Sequence, residues 1–358
     1  MAKFLDVFED VTKLGTKVPT DEYLDNGDYP IIDQGQAYIS GYRNDDTGLF
    51  TDIPVIIFGD HTRVLKYVNM PCFLGADGVK LLKSKDETAD YKYLYYALSN
   101  AKIPNTGYNR HFKWLKEVEI PMPDVKTQKQ IAANLDKVTH TIDLCNNILE
   151  KLDLLVKARF VEMFGEPLTN PMNWEVKRLD EVAYLNKGIT YAPEDVSDEG
   201  IVVLRSSNIK GNVFDLEDIV KITKSVNSEK FVHKNDILMC NRNGSARLVG
   251  KVAKIPELSE NMTFGTFMTI VRSDIYEYLF IFFQLDAFRE QIKFQTAVAI
   301  NQISLPLLAS VKVPIPPKKL IDQFAAFVEQ TDKSKSAVKQ VLEKAETLKK
   351  ALMQEYFG

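Results

Sequence analysis

Two stretches of the chain carry the same alternation of apolar and polar positions. In the first, Ile131, Leu135, Val138, Ile142, Cys145, Leu149, Leu152 and Val156 follow steps of four and three with polar residues between them. That spacing predicts a helix with a heptad seam sustained for about four heptads. The second keeps the register through Phe324, Val328, Thr331, Val338, Leu342, Ala345 and Leu352, but places Lys335 and Lys349 on the seam, which predicts a leakier one. At 1.5 Å per residue, about 38 helical residues make a rod of roughly 57 Å. Neither rod buries its stripe alone, so the two are expected to pack on each other. An antiparallel arrangement would put a globular domain at either end of a coiled coil, related by a pseudo-twofold axis.

The rods belong to a longer repeat. Residues 118–165 align without a gap on residues 311–358, at an offset of 193, and sixteen of the 48 positions are identical. Among them are Pro121/Pro314, Pro123/Pro316, Gln130/Gln323, Leu149/Leu342, Lys151/Lys344 and the closing Phe164-Gly165/Phe357-Gly358. Each copy opens with a Pro-x-Pro segment that must be extended, because proline fixes its own φ and pushes the preceding residue out of the α region. Gly165 and Gly358 end the helices at the same place, as C-terminal glycine caps do.

The segments before the rods correspond more loosely. Leu5-Asp6-Val7-Phe8 is matched with Leu179-Asp180-Glu181-Val182, and Tyr91 to Tyr95 with Tyr276 to Phe280. Between them lie short β-rich runs, Pro54 to Phe58 and Asp236 to Met239, each followed by a polar turn carrying arginine. Short strands, Gly and Asn turns and one or two helices predict an α+β domain in each half. The expected divisions are a first domain over 1–117, a linker and rod over 118–165, a second domain over 166–310, and a linker and rod over 311–358. Tyr93, Tyr95, Phe280 and Phe282 fall where a helix wants apolar residues and are expected in the cores.

Composition narrows the classes. With 45% hydrophobic and 26% charged residues over 358 positions, this is a folded globular chain. Its longest apolar stretches fall well short of the roughly 20 residues that cross a bilayer, and no secretory pattern opens the chain, so a cytoplasmic location is expected. Cys72, Cys145 and Cys240 are too few and too dispersed for a disulfide framework or a zinc cluster. The formal charge of −4 argues against a chain that grips nucleic acid alone, because lysine and arginine contacts to phosphate supply most non-specific affinity.

Taken in order, the doubled Pro-x-Pro, Gln130-Ile131-Ala132-Ala133 with Gln323-Phe324-Ala325-Ala326, and the two helices ending in Phe-Gly form a distinctive set. The second half adds Trp174-Glu175-Val176-Lys177-Arg178-Leu179, Leu204-Arg205-Ser206-Ser207-Asn208-Ile209 and Asn235-Asp236-Ile237-Leu238. With these the chain resembles, over essentially its whole length, the specificity subunit of type I restriction-modification systems. The resemblance implies two target recognition domains that each read half of a split DNA sequence, with two helices between them as a ruler. It also implies partners: two modification subunits that methylate adenine with S-adenosylmethionine, and restriction subunits that translocate and cut DNA. S-adenosylmethionine, ATP and magnesium would then be held by those partners, and no cofactor is expected on this chain.

No catalytic motif competes with that reading. An Asp/Asn-Pro-Pro-aromatic loop is absent, since the single Pro-Pro, Pro316-Pro317, lies between Ile315 and Lys318. A phosphate-cradling G-x-x-x-x-G-K-[ST] loop is also absent. His61, His111, His140 and His233 lack metal-ligand spacing, and Asp60 and Asp77 near Lys80 read more plainly as turn residues than as a nuclease pair. The chain is expected to be non-catalytic.

Reading base edges needs paired donors and acceptors, Arg for guanine and Asn or Gln for adenine, while Lys, Arg, Ser, Thr and Tyr position the protein on phosphates. Two windows free of acidic residues offer these groups. The first supplies Asn105, Tyr108, Asn109, Arg110, His111 and Lys113, interleaved with Phe112 and Trp114. The second supplies Asn241, Arg242, Asn243, Ser245, Arg247, Lys251 and Lys254. By place in the repeat, His61, Thr62 and Arg63 are added as the first-domain counterpart of 243–247. Arg205, Ser206, Ser207 and Asn208 are added as a polar strand end, and Tyr38, Tyr42 and Arg43 as weaker members. The plainer reading of each window is a polar turn that solubilises its domain. The outward rod faces, rich in Lys and Glu, are either simply solvated or in part a dock for a modification subunit. A reading from another class is a coiled-coil interaction scaffold with two non-DNA ligand heads, which would explain the acidic balance without partners.

Overall fold

The computed structural model describes residues 1–75, 77–107, 109–293 and 301–358. It divides into two compact units, Met1–Asn147 with Val338–Gly358, and Ile148–Ala337. Each unit therefore holds one α+β head and a part of both rods.

The rods are continuous helices of 40 residues each, Val125–Phe164 and Lys318–Phe357. The first starts where Asp124 caps it, its carboxylate accepting the Thr127 amide at 2.9 Å. It stops at Gly165, whose φ of +76° lies in the left-handed region that favours glycine, and a Cβ there would come within 2.7 Å of the Pro171 ring. In the first unit the start of one helix meets the end of the other, Asn134 Nδ2 donating to the Tyr356 hydroxyl at 3.2 Å. In the second unit Phe164 and Phe160 pack edge-on against Phe324, and Asp153 pairs with Lys335 at 2.7 Å. Helix pairing is antiparallel within each unit. The Asp153 pairing also explains how the seam tolerates Lys335: its ammonium reaches an acidic partner on the facing helix while its stem stays packed.

Each head is built on two four-stranded sheets. In the first head an antiparallel sheet runs in the order Phe8–Asp10, Val79–Ser84, Val55–Gly59, Leu65–Val68, and the second sheet runs Lys17–Val18, Phe73–Gly75, Tyr29–Ile32, Gly41–Arg43. The second head repeats the antiparallel sheet as Tyr184–Lys187, Met268–Arg272, Ile237–Cys240, Val252–Lys254. Its other sheet runs Val196–Ser197, Lys221–Ile222, Ile201–Leu204, Met262–Phe264, and again contains a parallel pair. The continuous apolar runs at Val55–Phe58 and Ile237–Met239 are the central strands, buried on both faces.

Strands lead into both Pro-x-Pro openings: Glu119–Ile120, just before Pro121, pairs with Ala2–Lys3, and Lys312–Ile315, which includes Pro314, pairs with Glu175–Arg178. One hydrogen bond recurs at this junction: Tyr93 OH donates to the Pro121 carbonyl and Tyr278 OH to that of Pro314, both at 2.6 Å. The helix-end phenylalanines use the same tyrosines, Phe357 packing on Tyr93 and Phe164 on Tyr278. Tyr93 and Phe282 are fully buried, while Tyr95 and Phe280 sit partly buried at the core edge.

One sequence match shifts by a residue. Leu179 corresponds to Phe4 and not to Leu5, because the Phe4 amide donates to Val118 as the Leu179 amide does to Val311, and Val118 and Val311 match in the repeat. Burial agrees, since Phe4 and Leu179 enter the core and Leu5 faces solvent.

Candidate nucleic-acid interface

In the second head three turns converge beside the ends of the two sheets. The strand Ile237–Cys240 runs into the turn that follows it, the strand Ile201–Leu204 into a tight turn at Ser206–Asn208, and the strand Met262–Phe264 into Gly265 to Phe267. Their contacts are direct. Asn243 Nδ2 donates to Ser206 Oγ at 2.9 Å, Lys251 Nζ donates to the carbonyls of Ser206 and Ile209 at 2.6 and 2.9 Å, and the Asn241 amide donates to the Phe267 carbonyl at 2.8 Å. The Arg242 guanidinium lies over the Phe267 ring, 5.0 Å from its centre, a cation–π contact that restricts its orientation. These turns, with Thr190, Tyr191, Asp218 and Asn301, line an open cleft of about 1070 Å³.

The cleft is rich in donors and incompletely paired. Arg205 spends one terminal nitrogen on Asp218 at 2.8 Å, and its Nε has no hydrogen-bond partner among the described residues. The same holds for Ser207 Oγ and Asn241 Oδ1. A buried polar atom left unpaired costs about 1–3 kcal/mol, so Arg205 Nε and Ser207 Oγ, both on residues that line the cleft, mark a surface organised for polar contacts. Arg242 on the cleft and Ser245 and Arg247 further along the same turn are exposed, while Arg205, Ser206, Ser207 and Asn243 are half-buried.

Burial removes three sequence candidates from direct contact and gives them supporting roles. Asn208 is fully buried, its side chain accepting the Arg205 amide and donating to the carbonyls of Asp215 and Asp218, which shapes the Arg205 turn. Asn241 is buried with its amide group on Thr269 Oγ1. His111, in the first head, is fully buried with Nδ1 at 3.0 Å from the Asp60 carbonyl and Nε2 against Thr106. Their polar character reads equally well as a core hydrogen-bonding need, and sequence alone does not separate the two. Lys251 is a partial case, since two of its three donors are committed to backbone carbonyls.

In the first head the corresponding turn, 59–64, is tied inward. Thr62 Oγ1 donates to the Gln34 carbonyl at 2.6 Å, Gln34 Oε1 accepts the His61 amide, and Arg63, at a φ of +63°, reaches the Ile103 carbonyl at 3.3 Å. Asn105, Asn109, Arg110 and Lys113 are exposed, with Lys113 stacked on Trp114. Tyr108 lies outside the described residues. Of the weaker members, Tyr38 bonds the Tyr67 carbonyl, Tyr42 pairs in a strand, and Arg43 lies over Phe73 and near Asp45. Asp60 is a turn residue, its carboxylate accepting the Phe112 amide at 2.7 Å.

Phe267, Tyr191 and Asn301 were not among the candidates. The repeat offset carries a signal for Asn301, because adding 193 to Tyr108 lands on it. Phe267 carries none, since an exposed aromatic and a core aromatic look alike in sequence.

Among the described residues no helix is long and apolar enough to cross a membrane, and no cluster of three His, Cys, Asp or Glu is placed to hold a metal.

Comparison with known proteins places this architecture. The family model described as type I restriction modification DNA specificity domain matches residues 3–154 and again 171–347. The specificity subunit of the type I restriction enzyme EcoKI from Escherichia coli K12 is 27% identical over 184 residues, covering 48% of this chain and 39% of that protein. The EcoR124I/EcoR124II specificity subunit from Escherichia coli is 29% identical over 145 residues, covering 37% of this chain and 35% of that protein. The chain thus spans well under half the length of these curated relatives. Among solved structures, the S subunit of a type I restriction-modification system from M. genitalium shares the fold with a TM-score of 0.62 at 18% identity, over 99% of this chain and 95% of that one.

Proposed function

We propose, from the premise that this chain belongs to the type I restriction modification DNA specificity family, that it reads a two-part DNA target, one half-site with each head. The paired long helices act as the spacer that sets the distance between half-sites. The chain itself is non-catalytic in this reading. It works as the specificity subunit of a complex in which modification subunits bring S-adenosylmethionine, and restriction subunits bring ATP and magnesium.

The observation that carries the proposal is the second-head cleft, where Arg205, Ser207, Arg242 and Asn243 converge from two sheets and leave donors and acceptors unpaired. Arginine and asparagine on one concave face are the residues that discriminate guanine and adenine in a groove. The formal charge of −4 fits a chain that depends on partners for phosphate affinity. Leu155 and Leu348 support partner docking, being identical in the repeat and about half exposed, at 48% and 50%, on the two rods. Two equivalent exposed leucines suit two copies of a modification subunit. Turnover and cofactor binding are accordingly expected of the assembled complex.

The test is binding by the chain assembled with its modification subunit, using duplexes whose two half-sites are altered one at a time. Each wrong base pair is expected to cost about 1–3 kcal/mol in whichever half-site it falls. Binding indifferent to changes in either half-site overturns the two-part reader. An assembled complex that holds no DNA even at low salt favours the interaction scaffold with non-DNA heads.

A further inference from the structure

Each head carries a lysine at the edge of its antiparallel sheet, Lys66 buried within Leu65–Val68 and Lys251 half-buried just before Val252–Lys254, although the two do not occupy matching positions. The Gly59 amide bonds the Val64 carbonyl as the Cys240 amide bonds that of Lys251, so Lys251 stands where the first head has Val64. Lys66 comes two residues later and therefore projects from the same face of the strand. Both cross to the loop that follows the neighbouring sheet's strand. Lys66 Nζ donates to the carbonyls of Asp33 and Ala37 at 2.8 and 2.5 Å, with the Asp33 carboxylate 3.6 Å away. Lys251 Nζ donates to those of Ser206 and Ile209 at 2.6 and 2.9 Å.

Placing an ammonium under a loop is costly, because burial removes its hydration. Burial lowers the pKa of both groups, against the opposing pull of Asp33 at Lys66 and of Cys240 at Lys251. A lysine kept for phosphate contact alone would hold its amine in water. These two spend their donors on pairs of backbone carbonyls of the loop, Lys251 adding to the bond that the Ile209 amide already makes to the Ser206 carbonyl. Two different positions arriving at one arrangement point to a requirement of the loop.

We infer that Lys66 and Lys251 are positioning residues for sequence discrimination, each holding one loop of its own head in the shape that places the candidate side chains: 33–37 in the first, whose Gln34 ties the 61–62 turn, and 205–209 in the second. In the second head the held loop carries Arg205, Ser206 and Ser207 into the cleft. The inference rests on reading that cleft as a DNA-contacting surface, and the anchoring itself is open to test without DNA.

Lys251→Met and Lys66→Met are each made in the full chain. Amide hydrogen exchange is expected to speed up across 205–210 in the first variant with 33–38 unchanged, and the reverse in the second. Unaltered exchange in the loop that has lost its ammonium overturns the anchor. Each variant decides for its own head, so one that fails to fold leaves the other informative. In the assembled complex, duplexes with randomised half-sites are then selected and sequenced. Lys251→Met is expected to relax base preference about tenfold in one half-site only, with the salt dependence of binding unchanged, and Lys66→Met to do so in the other half-site. Preserved preference with a salt slope reduced by about one makes the lysine a phosphate contact and overturns the positioning role. A wild-type complex that selects no sequence defeats the DNA reading, while the exchange measurement still decides the anchors.

Discussion

The two heads share the backbone of their antiparallel sheet and differ in what they hang on it. At the start of the central strand the first head has buried Val55 where the second has buried Asp236, which grips Arg272 through two bonds at 2.6 and 2.7 Å. At the next sheet end the Asp60 amide bonds the carbonyl of Gly78, and the Asn241 amide bonds that of Phe267. Gly78 has a φ of +75°, and a Cβ there would fall 2.6 Å from the Gln34 side chain, so the first head closes this corner where the second exposes an aromatic ring under Arg242. Backbone hydrogen bonds survive such exchanges because they depend on strand geometry and not on side-chain identity. The surfaces built on them can therefore diverge on a common frame, as the proposed reading of two unlike half-sites would require.

The largest effect expected from breaking this comparison is at Asp236. Asp236→Ala leaves the Arg272 guanidinium without its carboxylate, and because Arg272 is about a third exposed the expected destabilisation is about 2 kcal/mol. Denaturant unfolding followed by exchange in each unit should show it in Ile148–Ala337 and leave Met1–Asn147 unaffected. An equal loss in both units, or none in either, would mean the pair is not local support for the second head.

A smaller and more selective effect is expected at the reading turns. Arg242→Ala should weaken discrimination in the second head's half-site by about 1–2 kcal/mol, measured by competition between matched and altered duplexes. His61→Ala, at the corresponding place in the first head, should touch only the other half-site. Crossed effects would show that the half-sites are not read separately.

The smallest effect concerns Glu277, which faces Lys254, Asp332 and Lys335. Burial raises its pKa, and Lys254 offsets this only in part. The folded state thus holds the proton more tightly than the unfolded chain does. Stability from this group is fully present below the ordinary carboxyl value of 4.5 and is lost as the pH rises through the raised folded value. Against the native chain, Glu277→Gln should gain relative stability as pH climbs above 4.5, read as a shift in urea midpoint. A difference constant with pH refutes this.

Sequence alone determined the duplicated frame. Heptad spacing, the Pro-x-Pro openings and the terminal Phe-Gly pairs located both helices to within a few residues, because each is a local signal that the backbone obeys wherever it lies. The arginine- and asparagine-bearing turns were legible for a similar reason, as polar residues clustered at strand ends. Tertiary structure decided which of them face outward. Asn208, Asn241 and His111 turned inward because buried turns have backbone groups to satisfy, and Phe267 turned outward where the first head has Gly78. The roles of Lys66 and Lys251 depended on the same level, since an ammonium's partners here are carbonyls about 30 to 45 residues away in the chain. Such pairings follow from how strands stack, and no spacing within one segment records them.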